Sequence, residues 1–344
     1  MKKAAHHVVK EAVDYAKAEH GIHIAGFINA VLRSFLRDAD KGTIPLPDGT
    51  VLNDSVSSNH VAAVHSFPQW LVKRWTNRFG RSQTERLLLT LNKVPEFTIR
   101  VNERNIRIDE AVRKLETLGL RAKHGTFLQS ALHIDRLSPL IHNNLLATRS
   151  FYVQDEASQL AVHALQLPPG SLTLDTCSGQ GTKASHIMDL YDGIRLIAMD
   201  NSSSRLDISD QRMNLVQGDV FHSPFRDSVF DTILLDAPCS SLGIIRKHPE
   251  IKWRRREEEI KRFGAQQYEM LKSLWTKLKV GGYLVYSVCS FEPEETIDVI
   301  DRFKKDRNFA IEKPLPFLFN KEYFISLPHE TGMDGFFIAR LKKL

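Results

Sequence analysis

An α/β fold is what this 344-residue sequence predicts: a doubly wound, Rossmann-like sheet, preceded by a smaller helical and α/β N-terminal region. Three observations carry that expectation. From residue 170 onward, short continuous apolar runs alternate with helical periodicity, the mark of a parallel sheet covered on both faces. The first of those strands runs into a glycine-containing turn, and the next two end in aspartates, as in nucleotide-binding sheets. Before residue 95 the apolar residues recur at three and four, the helical period.

The elements follow in order. Residues 4–19 read as a helix, with Val8, Val9, Ala12, Val13 and Ala16 on one face and Gly21 behind it as a cap. A second helix over 23–38 aligns Ile24, Phe27, Ile28, Val31, Leu32 and Phe35, and Gly42 with Pro45 and Pro47 ends it. Two helices this short bury no core of their own. Pro68 opens a helix through Arg78, and another spans 81–92. The pattern then changes to a strand at 97–102, an amphipathic helix at 108–119 and an extended segment at 126–134. That order suggests a small ferredoxin-like or RRM-like module, although no aromatic pair suits base stacking on a strand. A helix at 154–166 leads to Pro168–Pro169–Gly170. Beyond it come strands at 172–175, 195–200, 213–219, 231–236, 283–289 and 336–341, with helices from about 182, from about 203 and over 257–278.

Composition narrows the function classes. Lys and Arg number 47 against 41 Asp and Glu, and 42% of the residues are hydrophobic, an ordinary globular balance. The charge is unevenly placed: residues 1–150 carry a net +8 and residues 151–344 a net −2. A basic front half on a near-neutral back half points to a polyanionic partner. Only three cysteines occur, without the paired spacing of a zinc site or the number a disulfide framework needs. No signal peptide and no run of about 20 apolar residues is visible. The expectation is a cytoplasmic monomer without metal or membrane attachment.

Two clusters carry chemistry. In LDTCSGQGTK, Asp175 closes a strand, Gly179 and Gly181 lie in the turn and Lys183 opens a helix. Glycines allow close backbone approach, and a helix start offers unpaired N–H donors. Asp200 ends the next strand, placed for the two hydroxyls of a ribose, and Asp219 follows the third, within reach of an adenine amino group. An adenosine ligand fits this set, and a P-loop does not, because no Gly-Lys-Ser/Thr follows.

The second cluster lies at the same sheet edge, where one strand ends in DAPCSS and the next in YSVCSFEPEE. Asp236, Cys239 and Cys289 form a recognisable set. Cytosine C5 is too electron-poor to take a methyl group directly. A thiolate adding at C6 makes C5 enamine-like, an acid at N3 stabilises the adduct, and a base must later remove the C5 proton. A lone cysteine is most often a small buried hydrophobe, and Cys177 is read that way. Two thiols at the functional edge favour chemistry. Arg246, Lys247, His248, Lys252, Trp253 and Arg254 follow directly, a basic stretch able to hold phosphates and stack an unpaired base. The competing reading is a solvated helix start, which EEE at 257–259 also suits.

DAPCSSLGIIRKHPEIKW, YSVCSFEPEE and YVQDEASQ resemble the RNA 5-methylcytosine methyltransferases of the Rsm/Nol/Sun group, and INAVLRSFLR and the segment around Pro68–Leu71 extend the likeness over most of the chain. The resemblance implies S-adenosyl-L-methionine as cofactor and structured RNA as partner, with small-subunit ribosomal RNA the expected substrate. It makes Cys289 the nucleophile, Cys239 the thiol needed for product release and Asp236 the residue bonding the cytosine ring. The turn Cys177, Ser178, Gly179, Gln180, Gly181, Thr182 and Lys183, with Asp200, Arg205, Asp219 and Asp236, corresponds to the cofactor site. Residues 1–45 are expected to be a remnant of a NusB-like helical domain, 60–150 an RNA-binding region and 151–344 the catalytic domain. The family turn usually reads C-A-A-P-G-G-K-T, so Gln180 stands for Pro and Thr182 for the second Gly. The interval from Asp200 to Asp219 is shorter than the family norm and implies a trimmed second helix. The same chemistry on transfer RNA, or a non-catalytic role in ribosome assembly, remains compatible with these motifs.

Overall fold

The computed structural model describes residues 5–41, 57–206 and 210–344, in two compact units, 1–66 and 67–344. In the first unit, helices Ala5–His20 and Ile22–Asp40 pair across Gly21, whose φ of 85° makes the break between them. A third helix, Ser58–His65, is capped by Ser57, whose hydroxyl accepts from the His60 N–H. Val9, Ala16, Ala25, Val61 and Ala62 are buried, whereas Ile24, Phe27, Val31 and Phe35 are exposed. The apolar stripe read for the second helix is therefore not a buried face; a short hairpin of helices covers only the small residues at its own contact. Gly42, Pro45 and Pro47 lie outside the described residues.

The second unit opens with helices Gln69–Phe79 and Arg81–Leu91, separated by Gly80 at φ 75°. A four-stranded antiparallel sheet follows: β1 (Phe97–Val101), β2 (Ala122–His124), β3 (Ala131–Ile134) and β4 (Phe151–Val153), ordered β2-β3-β1-β4. Helix Ile108–Thr117 lays Ala111 and Leu115 against Ile99, Leu132 and Ile134 of that sheet. The extended segment expected over 126–134 is shorter than predicted. Its first residues turn, because Thr126, Phe127 and Leu128 all donate their N–H groups to the buried Glu156 carboxylate. The helix expected at 154–166 spans Glu156–His163, since Asp155 caps it by accepting from the Ala157 N–H and residues 151–153 pair with β1 instead.

The large sheet consists of β5 (Leu172–Thr176), β6 (Arg195–Asp200), β7 (Asn214–Gln217), β8 (Phe230–Asp236), β9 (Leu278–Val288), β10 (Phe309–Glu312), β11 (Tyr323–Ser326) and β12 (Phe336–Lys343). Its order is β10-β12-β9-β8-β5-β6-β7, with β11 also on β12. Strands β5 to β9 run parallel, and β12 is antiparallel to β9. The Rossmann-like expectation holds, with an antiparallel edge that the sequence reading represented only by its last strand. Leu174, Ile233, Leu235, Leu284, Tyr286, Phe337 and Leu341 fill the core on one face against helix Glu257–Lys277, and Leu196, Leu234, Val285 and Ile338 that on the other. The helix expected from residue 203 is, among the described residues, one 3₁₀ turn at Ser203–Arg205. The order reverses between β5 and β8, so the carboxyl ends of those strands flank the switch point where such sheets bind ligands.

Candidate active site

After β5 the chain takes three left-handed residues in alternation, Cys177 (φ 57°), Gly179 (56°) and Gly181 (74°), before helix Thr182–Leu190 begins. The coil brings the turn against β6: Ser178 N–H donates to the Met199 carbonyl, and Gly179 N–H to Asp200 Oδ2 at 3.0 Å. Asp200 Oδ1 accepts from Ser202 N–H, which fixes both of its oxygens at the strand end. Asp219, beyond β7, is held by Phe221 N–H and His222. At Gly218 a Cβ would lie 2.8 Å from Met199 Sδ and 3.2 Å from Pro224 Cδ, so a side chain there would make the Met199 side chain shift.

The reacting groups stand one strand away. Asp236 at the end of β8 accepts from Lys183 Nζ at 2.6 Å and from Ser287 Oγ at 2.8 Å. Burial works against the Lys183 charge, but Asp236 and Asp175 more than offset it and its pKa is raised. Asp175, fully buried, is pushed up to about 7 by loss of solvent, with Lys183 and Ser178 opposing. Cys239 and Cys289 approach to 3.3 Å between sulfurs, and Ser241 Oγ lies 3.9 and 3.6 Å from them. The hydrogen bond between the thiols splits them. Cys239 is held well above the usual thiol range by that bond, by burial and by the Cys289 and Glu295 charges. Cys289 is lowered, chiefly by its hydrogen bond with Cys239, against its burial. Burial raises the Cys177 thiol, so it is an inert wall of the site.

One cleft of about 380 Å³ joins these groups, lined by Cys177, Gly179, Asp200, Arg205, Gly218, Asp219, Asp236, Cys239, Ser241 and Cys289, with Phe221, Gln266 and Met270. Gln180 and Thr182 face an adjoining hollow that shares Arg205. The set fits S-adenosylmethionine: carboxylates at two neighbouring strand ends meet a ribose and an adenine, and the left-handed turn leaves backbone close to the ligand. The buried Asp175 Oδ1 has no hydrogen-bond partner, a free acceptor beneath that turn.

The basic stretch divides. Arg246 and Lys247 are spent on Asp334, and Lys247 also on Asp155. Lys252 is buried, its Nζ over the Phe67 ring and bonded to Asn92. Burial lowers its pKa. His248, Trp253 and Arg254 are exposed, and Trp253 is 60% accessible. Among the described residues no cluster able to hold a metal ion occurs, and no helix is long and apolar enough to cross a membrane.

Sequence reasoning missed Ser241, Ser287 and Glu295. Ser241 takes φ 63°, and its hydroxyl stands beside both sulfurs. Glu295 reads as one more acid in a helix start, yet it is fully buried between the two thiol loops.

Fold and cleft together define an S-adenosylmethionine-dependent methyltransferase. The family described as 16S rRNA methyltransferase RsmB/F matches residues 162–342, and the ferredoxin-like domain of RsmF/B-like methyltransferases matches residues 67–140. The ribosomal RNA small subunit methyltransferase B of Vibrio vulnificus is 32% identical over 358 residues, covering 100% of this chain and 79% of that protein. The probable ribosomal RNA small subunit methyltransferase B of Bacillus subtilis is 29% identical, with 97% and 77% coverage. NSun6 from Pyrococcus horikoshii, solved with the S-adenosylmethionine analogue SFG, superposes with a TM-score of 0.72 at 20% identity, over 81% of this chain and 99% of that one. The chain belongs to the RsmB/F methyltransferase family.

Proposed function

We propose that this protein methylates C5 of a cytosine in small-subunit ribosomal RNA through a covalent bond from Cys289 to C6. The observation that carries the reading is the pair of sulfurs 3.3 Å apart in the cleft that also holds Asp200, Asp219 and Asp236. Cys289, the lowered thiol, attacks C6 as thiolate: the S–C6 bond forms as the C5=C6 pair shifts into C4–C5 and the C4=N3 pair onto N3, which leaves C5 enamine-like. Asp236, fixed by Lys183 and Ser287, bonds the N3 and N4 edge and holds the ring over the sulfur. S-adenosylmethionine, when bound, supplies the methyl group that C5 takes up, leaving as the neutral thioether. Once the Cys289 charge is taken up in the S–C6 bond, the hydrogen bond and charge that chiefly hold the Cys239 proton are gone; Cys239 then releases that proton to water and takes the C5 proton, and C5=C6 re-forms as the Cys289 thiolate departs. The pair ends with one proton between two sulfurs, and the net proton goes to solvent.

The target base has to leave its stack to reach this cleft. Exposed His248, Trp253 and Arg254 and the antiparallel module over 97–153 are the elements assigned to hold the RNA. Cys239→Ala should accumulate a protein–RNA adduct that survives denaturation, while Cys289→Ala forms none. The reverse pattern would exchange the two roles. Mapping 5-methylcytosine in cells lacking the protein should show one lost site in 16S rRNA; loss only from transfer RNA, or none, overturns the substrate.

A further inference from the structure

Glu295 joins the two loops that carry the thiols. Its Oε1 accepts from Ser240 N–H at 2.6 Å and from Gln267 Nε2 at 3.4 Å. Its Oε2 accepts from Ser240 Oγ at 2.5 Å and Ser290 Oγ at 2.6 Å. Ser240 follows Cys239 and Ser290 follows Cys289, so one carboxylate grips the residue next to each sulfur. Glu295, Ser240, Ser290 and Gln267 are all fully buried. No cation is bonded to this carboxylate among the described residues; neutral donors alone satisfy it, and a charge held that way keeps acting on its surroundings. The same strand-end region is knit further by Gly243 N–H to the Cys289 carbonyl, and by Gln267 Nε2 to the Pro238 carbonyl.

We propose that Glu295 is a positioning residue: it fixes the spacing of the two sulfurs and, by its buried negative charge on the Cys239 side, keeps the proton on Cys239 so that Cys289 carries the thiolate. A bare tether would need only hydrogen bonds, and a serine or amide would serve. A charge adds direction. It opposes a second negative charge on Cys239, whose following residue gives Glu295 two bonds, from Ser240 N–H and Oγ, against one from Ser290 beside Cys289; the electrostatics agree, with Glu295 among the charges raising Cys239 and not among the leading ones on Cys289. The carboxylate itself is raised by burial, with the serine bonds opposing. The inference rests on the thiol-pair reading given above.

The test compares iodoacetamide alkylation of Cys239 and Cys289 in the full-length protein without RNA, by peptide mass spectrometry from pH 6 to 9. In the native protein Cys289 should react at least about tenfold faster at pH 7.5. In Glu295→Gln the Cys289:Cys239 rate ratio should fall about tenfold, which corresponds to a relative change of about one pKa unit. Glu295→Asp keeps the charge with a shorter reach; it should restore the ratio while turnover stays at least about tenfold down, through the loosened loops. A native-like ratio in Glu295→Gln overturns the electrostatic role, even if the melting temperature drops. If Glu295→Gln does not fold, Glu295→Asp decides: native turnover there overturns the tether. Failure of the underlying function shows elsewhere, as absence of RNA adduct in Cys239→Ala while the alkylation ratio still responds to Glu295→Gln.

Discussion

Asp175 offers the most quantitative test of the electrostatics at the sheet edge. It lies beneath the cofactor turn, 1% exposed, with one oxygen bonded to Ser178 and the other without a partner. Burial lifts it from the ordinary 3.8 to about 7, a difference of roughly three units or about 4 kcal/mol. The sign follows from proton counting. Below pH 4 both folded and unfolded chains hold the proton. Between about 4 and 7 only the folded chain holds it, so stability falls by about 1.4 kcal/mol per pH unit. Above 7 both are ionised and the full contribution is gone. Asp175→Asn keeps an acceptor for Ser178 and removes the titration. Urea unfolding of both proteins, followed by near-UV circular dichroism from pH 4 to 8, should show the variant gaining about 4 kcal/mol on the native protein across that range. Any pH-independent cost of the amide cancels in that comparison. Parallel stability curves would refute the reasoning, because they would mean that Asp175 ionises as easily inside the fold as outside it.

Two further expectations concern how the site is held. In Gly243→Ala the new methyl carbon would fall 1.9 Å from the Gly335 carbonyl oxygen and 2.9 Å from that of Cys289, so backbone must move; a loss of about 3 kcal/mol in urea titration and at least tenfold in kcat is expected, and native behaviour would mean the loops are not in register as described. In Glu156→Gln one of the two oxygens, which between them receive the Thr126 N–H (Oε2) and the Phe127 and Leu128 N–H groups (Oε1), becomes a donor facing donors; about 2–3 kcal/mol should be lost, read as a lower melting temperature with cofactor affinity unchanged.

Much of this was legible in the sequence because it rests on period and on strand ends. β6 and β8 are largely apolar and stop in Asp200 and Asp236, and Asp175 is the penultimate residue of β5. Cys239 and Cys289 meet because β8 and β9 are parallel neighbours, with Asp236 beside Ser287 in register. What escaped was non-local. Glu156 and Glu295 look like helix-start acids, and only the tertiary contacts show that each is buried and satisfied by distant backbone or hydroxyl groups. The basic stretch misled in part for the same reason: Asp155 and Asp334 lie 92 and 87 residues from Lys247, and no local pattern announces that they neutralise it. Short edge strands such as β2, β4 and β11 carry too few residues for an alternation to show.

The cofactor turn bears on how kinship is recorded. Gln180 and Thr182, two of its departures from the usual family letters, lie on the ordinary side of φ, while the left-handed positions are Cys177, Gly179 and Gly181. A glycine now occupies the middle left-handed place, where the family letter is alanine and where a side chain costs about 1 kcal/mol or more. The alternation of hand folds the turn back on β6, with Ser178 N–H on the Met199 carbonyl and Gly179 N–H on Asp200, and leaves Cys177 and Gly179 lining the cleft. A search for distant kin keyed to that alternation would keep chains that a letter pattern discards.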